Sequence, residues 1–201
     1  LLQDPDKPLL NRVLRGGYPP GSTIKPFMGL AGLELGYRKP DDTVLSTGTF
    51  YIPGQSRGYR DDQRYGAGRV NLMQAITQSV NTYFYSLALQ MGIDRMDAYL
   101  SKFGFGSESG VDLPGEGDGV LPSPAWKRKT FRQPWYAGET VIAGIGQGYW
   151  VVTPMQLAHA VAMLADAGTP HTPHLLRATR AGLNAAVVAV ALSDRVACAI
   201  E

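Results

Sequence analysis

Apolar residues recur at helical spacing in several stretches of the chain, each bounded by a start or stop signal. From Ser22 to Leu35 the pattern predicts a helix with Phe27, Leu30, Ala31 and Leu35 facing inward and Gly36 ending it. Pro26 is tolerated near its start, where a missing N–H costs least. Two further helices are expected at Asn71 to Gln78 and Asn81 to Gln90, the second closed by Gly92, with Ser79-Val80-Asn81 as the corner between them. Asp94 is expected to cap a helix running through Lys102 and stopped by Gly104. Thr153 as N-cap and Pro154 at the first helical position open a last helix through Ala167. Its broad apolar face is read through Leu157, Ala158, Val161, Ala162 and Ala165, with Gly168 ending it. Thr43 to Asp62 reads instead as short strands and turns, and Gly106 to Gly119 as loop.

Composition narrows the class without naming it. With 201 residues, 44% hydrophobic and 18% charged, the chain has material for a sizeable core and reads as one globular domain or most of one. A net charge of +2 and the absence of any dense basic run give no case for nucleic acid. Lys127-Arg128-Lys129 is too short and fits a solvated face. The single cysteine, Cys198, cannot form an internal disulfide. The longest uninterrupted apolar run, Ala185 to Leu192, is far too short to span a bilayer. Leu1 is not a start methionine and no basic-then-apolar leader precedes it, so an internal piece of a longer protein is expected.

Chemistry concentrates at Gly21-Ser22-Thr23-Ile24-Lys25, behind Tyr18-Pro19-Pro20. If Ser22 opens a helix, Lys25 lies one turn later on the same face, within reach of the serine oxygen. A serine hydroxyl attacks only when a neighbour takes its proton, and a lysine amine can do so only when neutral. Burial lowers a lysine pKa, so this amine belongs in a closed cleft. The free N–H groups of a helix start would also favour an oxyanion forming there. Alone, the spacing is explained more simply by a serine N-cap followed by a solvated lysine. Ser79 and Asn81 add a second hydroxyl and a carboxamide, although these residue types are common in loops and caps.

Other candidate chemistry is weaker. Gly144, Gly146 and Gly148 lack the lysine of a phosphate loop and the dinucleotide spacing. His159, His171 and His174 have no acidic or cysteine ligands close by in the chain, so no metal site is read from them. Trp126, Phe131, Trp135 and Tyr136 read as packing.

Taken in order, these motifs resemble those of the serine penicillin-binding proteins, whose signatures include Ser-x-x-Lys, a Ser-x-Asn triplet and Lys-Thr-Gly. The likeness is greatest to the class B transpeptidases of the elongation type, penicillin-binding protein 2. It extends through Asn11-Arg12, Tyr18 to Phe27, Tyr59-Arg60-Asp61, Gly68-Arg69-Val70-Asn71, Met91 to Arg95, Lys102-Phe103-Gly104, Pro134-Trp135-Tyr136 and Gly144 to Trp150. The resemblance implies an α+β fold of the serine β-lactamase and penicillin-binding-protein transpeptidase type, incomplete, with the helical part predominating. It implies Ser22 as acylated nucleophile, Lys25 as proton acceptor, Ser79 as relay toward the leaving group, and Asn81 as the residue that orders them and holds the acyl side chain. It also implies peptidoglycan stem peptides ending in D-Ala-D-Ala as substrate, β-lactams as ligands, membrane proteins of the elongation complex as partners, and a periplasmic domain anchored in the bacterial inner membrane.

Two departures from the family pattern stand out. None of the six lysines begins Lys-Thr-Gly or Lys-Ser-Gly; Lys129-Thr130 runs into Phe131, and Ser46-Thr47-Gly48 lacks the lysine. A chain without that motif is expected to acylate poorly by itself. Some relatives bind zinc through two aspartates, a histidine and a cysteine, and the matching positions here are Ser46, Asp61, Ala67 and Val80. Only Asp61 is a ligand type, so no zinc and no cofactor are expected. The domain is expected over 1–180, with 181–201 as a divergent tail. Rival readings are a β-lactamase-type hydrolase, for which no Glu-containing deacylation loop is recognisable, and a non-catalytic β-lactam-sensing domain.

Overall fold

The computed structural model describes residues 4, 5, 7–176, 178–180 and 187–189. Its α-helices are α1 (Arg12–Arg15), α2 (Lys25–Glu34), α3 (Leu72–Thr77), α4 (Asn81–Met91), α5 (Ile93–Leu100), α6 (Pro124–Phe131), α7 (Ala137–Ala143) and α8 (Pro154–Ala165). The strands are β1 (Val44–Ser46), β2 (Thr49–Tyr51), β3 (Gly58–Arg60), β4 (Gly68–Val70), β5 (Ala178–Arg180) and β6 (Val187–Ala189). Short 3₁₀ turns occupy Gly21–Ile24 and Ser101–Phe103. The chain is thus α+β with helix predominating, and it divides into two compact units.

The larger unit comprises 19–101 and 120–151. Its centre is α4, which packs on α2, α3, α5 and α7 and is flanked by β1, β2 and β3. Tyr83, Phe84, Leu87 and Ala88 are fully buried in it, as Ile24, Met28 and Ala31 are in and before α2. Missing side chains set how closely these helices approach. A β-carbon on Gly144 would stand 2.4 Å from that of Ala88, and one on Gly32 would stand 2.9 Å from a Leu87 methyl. The first contact is with a β-carbon that cannot turn away, so the end of α7 reaches α4 only because glycine is there, while at Gly32 the Leu87 side chain would have to shift to make room. β1 pairs antiparallel with β4, Leu45 opposite Arg69, and β2 pairs antiparallel with β3, Phe50 opposite Tyr59.

The smaller unit comprises 1–18, 102–119 and the residues from 152 onward. Here α1 packs on α8, and Tyr18 and Val152 exchange backbone hydrogen bonds at 2.9 and 2.8 Å. Thr153 caps α8 by accepting from the Gln156 amide, while the Gln156 side chain accepts from the Thr153 amide. That reciprocal pairing satisfies two helix-start donors. The buried Gln156 amide nitrogen also donates to the carbonyls of Ser107 and Asp118, both at 2.7 Å. One glutamine thereby ties the loop of 106–119 to the helix.

Several expectations need correcting. The helix expected from Ser22 begins as a 3₁₀ turn and becomes α-helical only at Lys25. Leu35, expected inward, is 43% exposed because it lies at the C-cap, where the helix face no longer points at the core. Asp94 stands inside the first turn of α5, which starts from Gly92. In α8, Ala158, Val161, Ala162 and Ala165 are exposed and Leu157 is partly so; the buried face is Gln156, Ala160 and Met163. An alanine-rich helix is apolar nearly all round, so periodicity alone does not choose its inner side. The expected tail falls on 181–201, of which only the β6 strand, antiparallel to β5, lies among the described residues.

Candidate active site

The site lies wholly in the larger unit, where three backbone features converge. Gly21 and Gly146 both take positive φ, 55° and 71°, and the Gly21 amide donates to the Gly146 carbonyl at 2.8 Å. This contact seats the 3₁₀ turn that carries Ser22 on the segment after α7. The Thr23 hydroxyl donates to the Pro20 carbonyl at 2.7 Å and closes the turn from the other side. Between them the Ser22 side chain is exposed, and its amide has no hydrogen-bond partner among the described residues. A free amide beside a nucleophile is the arrangement that stabilises an oxyanion.

The second feature is the corner between α3 and α4. Ser79 has φ 55°, the left-handed region, which costs a non-glycine residue on the order of 1 kcal/mol. That conformation turns its hydroxyl toward Ser22, and the two oxygens are 3.0 Å apart. The corner is held by the Ser79 amide donating to Ile76 O at 3.1 Å and the Val80 amide to Ala75 O at 2.9 Å.

The third feature is the start of α2, which sends the Lys25 side chain into the core at 1% exposure. Its amine donates to the Ser79 carbonyl at 2.7 Å, the Ser79 hydroxyl at 2.9 Å and the Asn81 side-chain carbonyl at 2.7 Å. Three donors thus meet three acceptors, the full capacity of an ammonium group. The amine also lies 5.5 Å from the Phe84 ring centre. Burial pushes its pKa down from 10.5 to about 8, against the opposing pull of the Asp62 and Asp61 carboxylates. At that value roughly one amine in ten is neutral at pH 7.

The structure therefore brings Ser22, Lys25, Ser79 and Asn81 into one hydrogen-bonded group, in an order the spacing does not reveal. The Ser79 hydroxyl links Lys25 to Ser22, 2.9 Å from the Lys25 amine and 3.0 Å from the Ser22 oxygen. Asn81 is buried and its carboxamide nitrogen faces Asp62 at 3.5 Å. Sequence reasoning missed two contributors. Gly146 matters through its backbone contact with Gly21, which only the fold discloses. Asp61 accepts hydrogen bonds from the first amides of α4, and the signal for this was available: Val80, at the N-cap position, has no side-chain acceptor. Among the described residues, no group of three His, Cys, Asp or Glu side chains is placed to hold a metal. The donor set at Ser46, Asp61, Ala67 and Val80 does not suit zinc.

Comparison with known proteins gives the family and its extent along the chain. Residues 2–195 match the family model described as penicillin binding protein transpeptidase domain. The peptidoglycan D,D-transpeptidase MrdA of Acinetobacter baumannii is 48% identical over 174 residues, covering 87% of this chain and 26% of that protein. A crystal structure of Pseudomonas aeruginosa PBP2 in complex with WCK 5153 superposes with a TM-score of 0.82 at 52% identity, covering 87% of this chain and 40% of the other. The Helicobacter pylori PBP2 in its complex with MreC gives a TM-score of 0.81 at 38% identity, covering 86% of this chain and 32% of the other. The chain thus spans about a quarter of the length of the curated relatives it matches.

Proposed function

The chain belongs to the penicillin-binding protein transpeptidase family, and on that premise we propose that it carries the acyl-transfer centre of a peptidoglycan D,D-transpeptidase of cell-wall elongation. The observation that supports this reading is the unbroken line from Ser22 Oγ through Ser79 Oγ to Lys25 Nζ, with steps of 3.0 and 2.9 Å. In the neutral-amine form, Ser22 attacks the carbonyl of the D-Ala-D-Ala peptide bond. Its proton passes to the Ser79 oxygen while the Ser79 proton passes to Lys25, which becomes an ammonium. The tetrahedral oxyanion faces the unpartnered Ser22 amide. Collapse breaks the C–N bond; the departing D-alanine amine takes a proton from Ser79, which is resupplied by Lys25. An ester to Ser22 remains, and the amine of a neighbouring stem peptide attacks it by the same relay in reverse. Asn81 holds Lys25 and Ser79 in register without titrating.

β-Lactams acylate the same serine on this reading, because their strained amide presents a similar carbonyl. The partners are membrane proteins of the elongation complex, in keeping with the Helicobacter pylori PBP2 solved with MreC. The domain works in the periplasm of a bacterium, on a protein held in the inner membrane; no helix among the described residues is long and apolar enough to cross a membrane. The test is intact mass. The full-length protein exposed to a penicillin gains the mass of one drug molecule, and Ser22→Ala does not. An unlabelled wild type, or labelling that survives the substitution, overturns the reading.

A further inference from the structure

Helix α4 begins without a cap of its own. Val80 stands at its N-cap position and has no oxygen to offer, yet the first amides of any helix lack intrahelical partners. The acceptor comes from outside the helix. Asp61, directly after β3, receives the Asn81 amide on Oδ1 at 2.7 Å and the Thr82 amide on Oδ2 at 3.0 Å. Ser46, the last residue of β1, donates its hydroxyl to Oδ2 at 3.0 Å and accepts from the Ala67 amide at 3.2 Å. The Asp62 amide reaches Oδ1 at 3.2 Å, and the Asp61 amide itself donates to Gly48 O at 2.9 Å. Asp61 is only 8% exposed. Burial pushes its pKa up, and the donors at Thr82, Asn81 and Ser46 outweigh that and hold it below the usual range. Ser46, Asp61 and Ala67, unfit as a set for zinc, are thus joined by hydrogen bonds that leave the carboxylate facing α4.

We propose that Asp61, steadied by Ser46, is the positioning residue that fixes the Ser79–Asn81 corner for acyl transfer by capping α4 from another part of the fold. This rests on the acyl-transfer reading above. Asn81 is where the cap and the relay meet: its backbone N–H is bound by Asp61 and its side chain by Lys25. A shift of the first turn of α4 therefore moves the group that orders Lys25, and a misplacement of about 1 Å at a reacting group can cost on the order of a hundredfold in rate. Asp61 also acts through charge. Among the described residues, the charges that act on Lys25 are Asp62 and Asp61, and α4 presents Asn81 and the Phe84 ring to it. Both carboxylates favour the ammonium and so oppose the burial that frees the amine.

The test is the rate of acylation by a fluorescent penicillin across pH on the full-length protein. Asp61→Asn keeps the shape but loses the charge and one acceptor. Its plateau rate is expected to fall about tenfold or more, with the rising limb displaced to lower pH, because the amine loses a neighbouring carboxylate. A purely structural cap would lower the folded fraction and leave the limb in place, and that result overturns the assignment. So does a folded Asp61→Asn with the wild-type plateau and limb. If Asp61→Asn does not fold, Ser46→Ala decides, since it removes one donor and keeps the carboxylate. A loss of about threefold per folded molecule supports the assignment, and no loss overturns it. Ser22→Ala, run alongside, separates the two claims. Labelling that survives it defeats the acyl-transfer reading and this assignment together. Labelling lost in Ser22→Ala but undiminished in Asp61→Asn defeats the assignment alone.

Discussion

Gly146 lies so close to Gly21 that a β-carbon on Gly146 would stand 2.2 Å from the Gly21 carbonyl oxygen and 2.7 Å from its nitrogen. The neighbour is backbone and cannot swing aside. The turn bearing Ser22 is therefore seated on a surface that has room for no side chain, and its position is set by main chain against main chain.

Gly146→Ala is expected to push that turn outward or to force a positive φ of 71° on an alanine. Stability should drop by about 2 kcal/mol or more, read from urea unfolding. Acylation should fall at least about tenfold, because the serine oxygen leaves its 3.0 Å contact with Ser79. Full activity in the folded variant would show that the seat does not govern the nucleophile.

The pKa of about 8 at Lys25 sets a pH dependence whose sign follows from the amine acting when neutral. Acylation should rise about tenfold per pH unit below 8 and level off above it. A folded-state value below the 10.5 of the free side chain also means that the unfolded chain binds more protons between about 8 and 10.5. Lys25 alone therefore makes the protein more stable as pH rises through that window. Rates of penicillin labelling and urea midpoints from pH 6 to 10 check both; a flat rate profile would rule out the amine as base.

Gln156 should matter far more than a helix glutamine usually does. Gln156→Met fills the space but leaves the Ser107 and Asp118 carbonyls and the Thr153 amide without their partner. An expected loss of about 2–3 kcal/mol follows from buried groups left unsatisfied, measurable by denaturation. A loss under about 0.5 kcal/mol would mean that water replaces the bonds.

Several helix ends were legible because their boundaries are chemical. Gly92 with φ 77° closes α4, and Thr153 with Pro154 opens α8, each by a local requirement visible in the residue type. The grouping of Ser22 and Lys25 was legible from spacing; Ser79 and Asn81 were visible as a hydroxyl and a carboxamide at a predicted corner, and their roles came from resemblance. What spacing could not convey is the order of contact, since a left-handed Ser79 is decided by the corner it closes. Nor could it orient α8, whose alanines give no contrast between sides. The cap from Asp61 is invisible for a different reason: it joins positions 20 residues apart, and only its need, the valine at the N-cap, is written locally.

Ser79 standing between amine and nucleophile has a consequence for antibiotic resistance. On the proposed chemistry, drug and natural substrate draw their proton traffic through one shared hydroxyl, so altering it to refuse the drug would also silence wall synthesis. On that chemistry, substitutions that confer resistance should fall around the site and leave this inner relay untouched.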